Sequence, residues 1–582
     1  MRDFLKKNKT RLLAGTGLVF TLYFAGTVTD ANANRYASLL PAFFSFLFYI
    51  KLSSEKNRTL SKQEGRLLLF MTVLFSLISS LADIELYLYP DSDYIAYSRR
   101  LFFPLSAVFT WFGTLNHLYY KFITITTPRN EKTVSNRSSL ISSFLSPFIL
   151  LSSESLLYLF LAVYPGSLTR DSFTQIGQII TGVYTDHHPF AHTLLVSLFL
   201  NIGRSLFGNI NSGVALYCIF QLFVQAAVFS FGIMTLRQSG ISRFKCSMMT
   251  AAYALVPFYC MFSVTVWKDV LFADSVLLFI ISLFRITRHL GKDKINLFLF
   301  LISGIGFGVF RSNGAYALVL TFIVFFLVFI KKEKRIVAIC FTALLLSLSW
   351  KSVIRNVFDV TPPDMAEVFS IPEQQIAACI ADGIPFSEDE KALIAKAADF
   401  DEIGAVYTPG VSDPVKNLIR SYDGNDAIEA DKSAYLKLWF DVGKRAPLTY
   451  LKSWILQTRG YWNAGYTHWV TAAGITMDND YEIKNAPLIP LLHSLAEIMG
   501  NVLESSIFCS IGLAFWIVVI CAGFSFISHR RGAIIPAMCV PLISIIATLL
   551  IATPIFGELR YAYALYTSLP FIAAIAVSSD AS

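Results

Sequence analysis

The chain has 582 residues, of which 55% are hydrophobic and 15% charged, and its mean hydropathy is +0.56. These values exclude an ordinary soluble globular protein and fit a polytopic membrane protein. The net charge of +8 calls for no nucleic-acid partner, because basic residues gather in the cytoplasmic loops of such proteins.

Apolar runs long enough to cross a bilayer fall at 11–28, 36–51, 66–88, 101–122, 139–163, 213–235, 246–266, 269–284, 295–311, 314–330, 335–350, 505–528, 533–552 and 560–578. The expected fold class is therefore all-α, a polytopic membrane protein with about 14 transmembrane helices and a small external helical region. The first run follows a basic start (Arg2, Lys6, Lys7, Lys9, Arg11) without a small-residue cleavage site, so it reads as a span and not as a cleaved leader. Basic loops at Lys51–Arg66, Lys121–Arg137, Arg237–Lys245, Arg285–Lys294, Lys331–Arg335 and His529–Arg531 read as cytoplasmic, with the N-terminus on that side. The Tyr89–Tyr97 loop, with Asp91 and Asp93, reads as external.

The layout expected is an N-terminal transmembrane extension at 1–138, a membrane core at 139–350 with an external loop at 164–212, an external helical region at 351–504, and C-terminal transmembrane helices at 505–582. Parity needs one exception. Both the Tyr164 loop and the turn at Trp267 must be external, yet three apolar stretches separate them. The weakest is 190–207, which holds His192, Asn201 and Arg204 and reads as a helix that does not cross. Near the end of the polar region Trp439, Trp454, Tyr461, Trp462, Tyr466 and Trp469 are dense, as at headgroup level.

The longest polar interruption of the first half is Tyr164–His192. Thr169 as N-cap and Gly182 as stop predict a short helix between them. On it Asp171, Gln175 and Gln178 share a face, and the helix dipole stabilises Asp171 as the anion. His187, His188, Pro189 and His192 follow. Three more polar groups open other spans: Trp267–Lys268–Asp269, Arg311–Ser312–Asn313, and Gly557–Glu558 with Arg560 and Tyr561. Charges so close to apolar segments are costly unless paired or used. Arginine forks suit a phosphate headgroup, which singles out Arg311 and Arg560.

An aspartate early in a short external helix, a following His-Pro, an acidic residue in the next external turn and an arginine–tyrosine pair opening a late span resemble the GT-C-type membrane glycosyltransferases. More narrowly, the DHHP, WKD, RSNG and GELRYAY runs resemble a group of bacterial membrane proteins without a known role. The resemblance covers roughly residues 139 to 578. It implies transfer of a sugar from a polyprenyl-phosphate carrier to a glycan or lipid acceptor of the cell envelope, on the outer side of the membrane. Asp171 is then the expected base and Asp269 a second carboxylate that positions the acceptor or shares a cation. Gln175, His187, His188, Lys268, Arg311, Arg560 and Tyr561 are the expected substrate contacts. The family's loop often carries two adjacent acidic residues, whereas Ser172 follows Asp171 here. The cofactor stays open, a divalent cation being the one considered. The competing classes are a transporter or flippase of lipid-linked saccharides, and a structural subunit without chemistry.

Overall fold

A computed structural model describes residues 2–31, 35–54, 60–82, 94–125, 137–466, 473–475, 477–504, 506–528, 534–552 and 555–578. The chain is all-α, and its described residues contain isolated bridges but no strand. Part of the Tyr89–Tyr97 loop, the His529–Arg531 loop and Trp469 fall outside the described residues.

Among the described residues eight helices are long and apolar enough to cross a membrane, or nine if a bent pair is one span. That is fewer than the 14 runs counted in the sequence, and for three of the runs the reason is length. The helices Asp293–Val309, Gly314–Phe329 and Tyr563–Ala576 have 17, 16 and 14 residues. At 1.5 Å per residue they reach only about 21–26 Å, against a hydrocarbon core of about 30 Å. The 246–266 run is broken: Arg243–Leu255 and Pro257–Ser263 meet at 63°, where Pro257 removes a helical donor.

The helix Phe190–Phe207 does pass the length and apolarity test. On the next helix, Ile210–Gln238, it meets residues of the first part. A Cβ on Gly203 would stand 2.2 Å from the Gly213 nitrogen, so the two backbones touch there. Phe199 packs on Tyr217 and Phe220, and His192 bonds the Tyr217 hydroxyl. The far end of Ile210–Gln238 belongs to another neighbour: Arg285 donates to Thr235 and Gln238 at 2.9 Å each.

The main core centres on the Lys268–Thr287 helix, whose residues are almost all buried. The N-terminal helices form their own core around Phe75 and Trp111, which reaches Trp516 on Ile511–Ser528. The region after 358 has a separate hydrophobic core of short helices, including Ala377, Ile394, Ile419 and Leu438. It rests on the membrane part through Ser412, Trp454 and Tyr461, which donate to carbonyls of Ile555, Leu550 and Phe556. The boundary expected at 350 falls inside a helix, because Lys334–Phe358 runs two turns further.

Candidate active site

The short helix after Tyr164 forms as its end signals predict, over Arg170–Thr181. The Thr169 amide donates to Ser172 Oγ at 3.1 Å, and Ser172 Oγ donates to the Val266 carbonyl at 2.9 Å. Trp267 Nε1 donates to Thr169 Oγ1 at 2.8 Å. Gly182 closes the helix with φ +72, a left-handed turn that favours glycine. Backbone bonds zip the preceding loop to the turn before Lys268: Ser167 N to Val264 O at 2.9 Å and Val266 N to Ser167 O at 3.0 Å. The first turn of one helix is thereby locked beside the first residue of another. Asp171 and Lys268 meet because of it.

Asp171 Oδ2 accepts from Arg560 Nη1 at 2.6 Å and from Lys268 Nζ at 3.1 Å. Lys268 Nζ also reaches His188 Nδ1 at 2.8 Å. Burial alone would raise the Asp171 carboxyl, but the Arg560 and Lys268 charges outweigh it and hold the group well below the usual carboxylate range. Burial, followed by the Lys268 charge, pushes His188 well below the usual histidine range. His188 is therefore neutral and offers Lys268 an acceptor. Arg560 is gripped further: Nε pairs with Glu558 Oε1 at 2.5 Å and Nη2 donates to the Tyr561 hydroxyl at 3.2 Å.

A second pair lies beside this one. Asp269 is fully buried and pairs with Arg311, whose guanidinium stacks 4.7 Å from the Tyr561 ring centroid. Arg560 lies 4.9 Å from the same ring. The two arginines thus share one aromatic support. Asp269 faces neither of the cavities described below, so the expectation of a second carboxylate acting on acceptor or cation gives way to a sealed partner for Arg311. Gln175, also expected to contact substrate, is 1% exposed. Its amide bonds His192 at 3.0 Å and Thr193 at 2.9 Å, which ties the helix to its neighbour and leaves nothing for a ligand.

Two cavities meet at Asp171. One, of about 860 Å³, is lined by Asp171, Lys268, Arg311, Arg560 and Tyr561 at one end and by Tyr316, Val319, Leu320, Leu549 and Ile551 elsewhere. The other, of about 850 Å³, is lined mostly by polar residues, among them Thr169, Thr174, Asp413, Asn417 and Arg420. Asp171, His187, His188 and Arg560 line both.

The cation considered for Asp171 and Asp269 does not fit, because each carboxylate is already engaged by basic side chains and Asp269 is sealed. One other set comes close among the described residues: His187, Asp364 and Glu367 bring a ligand atom each within 4.8 Å of one another. Arg420 holds Asp364 at 2.8 Å and Glu367 at 2.6 Å, and Lys416 holds Glu367 at 3.0 Å. With two cations on two carboxylates, this cluster is already neutralised without a metal.

Sequence reasoning passed over Glu558 as a site residue, although it stands in the same run as Arg560. It also passed over Asp364, Glu367, Lys351 and Arg355, which reach the cavities from the region after the Lys334–Phe358 span or from its end. For the last two the i, i+4 spacing at the end of an apolar run was the available signal.

Fold and site together define an all-α chain with several helices long enough to cross a membrane and a buried charge cluster opening into two cavities. Residues 180–581 match a family described as a family of unknown function (DUF6020), and the chain belongs to that family. No curated protein and no solved structure matches the chain. His188, Lys268, Arg311 and Arg560 lie within the matched residues, and Asp171 precedes them.

Proposed function

We propose that the chain is a membrane glycosyltransferase that moves a sugar from a polyprenyl-phosphate donor to a glycan or lipid acceptor of the cell envelope, outside the membrane. The observation that carries this reading is one carboxylate, flanked by two cations, at the junction of a cavity with a largely apolar wall and one lined mostly by polar residues. The apolar wall suits a lipid carrier and the polar cavity suits an acceptor.

The acceptor hydroxyl oxygen forms its bond to the anomeric carbon as the bond from that carbon to the phosphate oxygen breaks. Asp171 takes the hydroxyl proton, and the electron pair leaves with the carrier phosphate. Arg560 and Lys268 face the charge that develops there. Attack opposite the leaving group inverts the anomeric centre. In the free protein Asp171 is a weak base, because both cations bind it. A donor phosphate offers those cations a second acceptor, so donor binding loosens Asp171 and raises its basicity when the acceptor arrives.

Purified protein in lipid nanodiscs, given a radiolabelled polyprenyl-phosphate sugar and envelope acceptor, should transfer label to the acceptor. Movement of intact donor across sealed vesicles, with no label transferred, would replace this reading by the transporter class.

A further inference from the structure

Two cations on the wall of the apolar-lined cavity have no acidic partner. Lys351 and Arg355 stand one turn apart near the end of the Lys334–Phe358 helix and both line that cavity. The other basic residues lining it are engaged: Lys268 and Arg560 by Asp171, Arg311 by Asp269, and Lys432 by Glu429 at 3.0 Å. Among the described residues no carboxylate oxygen lies within 4.0 Å of Lys351 or Arg355. Asp186 feels both charges, but its Oδ1 accepts the Phe190 amide at 3.3 Å.

Their surroundings select the kind of anion. The Lys351 ammonium lies 5.0 Å from the centroid of Tyr316, which is 59% exposed. Leu320, one turn further along Gly314–Phe329, continues the same wall as apolar surface. Positive charge above an apolar strip matches a phosphate with a hydrocarbon tail; a soluble anion has no use for the strip. The inner cluster adds a second reason. Lys268, Arg311 and Arg560 are matched in number by Asp171, Asp269 and Glu558, so the inner cluster carries no surplus positive charge for a second phosphate group.

We propose that Lys351 and Arg355 form an anion subsite for a lipid-borne phosphate, separate from the Asp171–Arg560 centre. The phosphate has two sources: the second phosphate of a diphosphate carrier, which rests on the glycosyltransferase reading, or the phosphate of a bilayer phospholipid beside the cavity.

The test uses the full chain in nanodiscs, as wild type and as Lys351→Gln/Arg355→Gln. Donors are a polyprenyl-monophosphate sugar and a polyprenyl-diphosphate sugar, in phosphatidylcholine with or without phosphatidylglycerol. The expected result is a KM raised about tenfold or more with kcat nearly kept, since charge-assisted contacts to phosphate act in binding. A rise confined to the diphosphate donor in both lipids assigns the subsite to the carrier. A rise with both donors, only when phosphatidylglycerol is present, assigns it to the bilayer. KM values within twofold of wild type in all four conditions overturn the proposal. If the wild type transfers no sugar at all, the glycosyltransferase reading fails separately, and native mass spectrometry of polyprenyl-diphosphate and phosphatidylglycerol adducts then decides. Equal adduct occupancy in wild type and variant overturns the subsite, and reduced occupancy in a variant with an unchanged melting temperature supports it.

Discussion

Two aspartate–arginine pairs sit side by side at this site, and they are built for different work. Asp171 with Arg560 opens into both cavities, the Asp171 side chain keeping 24% of its exposure. Asp269 with Arg311 is more enclosed, at 0% and 6%: Asp269 lines neither cavity, and only Arg311 touches the apolar-lined one. Each aspartate lies in the first turn of a helix and each arginine at the mouth of a short one, so the sequence offers no distinction. Access makes the distinction. An open carboxylate can exchange its cations with a ligand, whereas the sealed Asp269 can only hold Arg311 in place, against the Tyr561 ring on which both arginines lie.

The largest effect should come from the open pair. Asp171→Asn keeps the shape and removes the anion, so transfer should fall by roughly 10²–10⁴-fold, the range of a lost general base. Yield and melting temperature should stay near wild type, because Lys268 and Arg560 still reach solvent through the cavities. Near-normal turnover in this variant would remove Asp171 from the chemistry. Asp269→Asn should behave in the opposite way. It leaves a buried arginine without its partner, at a cost on the order of 3–5 kcal/mol, and should appear as lost yield and a lowered melting temperature. Replacing both partners together, as Asp269→Leu with Arg311→Met, should recover most of that stability, since an apolar pair needs no compensation. A well-folded, inactive Asp269→Asn protein would erase the contrast between the pairs.

Arg560 tests the open pair from its other side. Its fork serves Asp171, Glu558 and Tyr561 at once, which lysine with a single point charge cannot do. Arg560→Lys should therefore weaken donor use about tenfold or more, and Arg560→Ala should abolish it with folded protein recovered. Full activity of the lysine form in a titration of lipid-phosphate donor would reduce Arg560 to an interfacial anchor.

Much of this site was legible. Thr169 and Gly182 mark the ends of the Asp171 helix, and the polar residues that open separate spans do converge: Lys268 and Arg560 on Asp171, with His188 beside them. Pairing was not legible. Nothing in the order of residues tells that Asp269 turns to Arg311 and Asp171 to Arg560, because partner choice depends on how the helices rotate against each other. Gln175 was misread for a related reason: its face of the helix is shared with Asp171, but the neighbour across it is His192, not a cavity. Three of the apolar runs form helices of 17 residues or fewer, as at Tyr563–Ala576, because hydropathy marks apolar runs and does not measure helix length. Whether 190–207 crosses is open to a direct experiment. Single cysteines at Thr185 and Asn209 should both react with an impermeant thiol reagent from outside, in keeping with the contacts to Gly213, Tyr217 and Phe220 in the first part of Ile210–Gln238. Labelling at Thr185 alone would mean that the helix spans.

The smallest effect is one of pH, and it separates Asp171 from His188 within the open pair's own shell. The folded Asp171 carboxyl is depressed below its ordinary value of about 3.9. Its contribution to stability is therefore complete above that value and is lost only as pH falls further, through the folded one. Between pH 7.5 and 5.5 Asp171 should contribute no change. His188 is also depressed, from an ordinary value near 6.5, first by burial and then by Lys268. For a base the sign is reversed: below about 6.5 the unfolded chain takes up a proton that the folded chain refuses. Stability should then fall by roughly 1 kcal/mol per pH unit on its account. In melting curves at pH 7.5 and 5.5, Asp171→Asn should keep the wild-type acid shift, and His188→Asn should lose about that much of it. Identical acid shifts in wild type and His188→Asn would mean that His188 is protonated in the folded protein, and that Lys268 has lost the acceptor which now holds it beside Asp171.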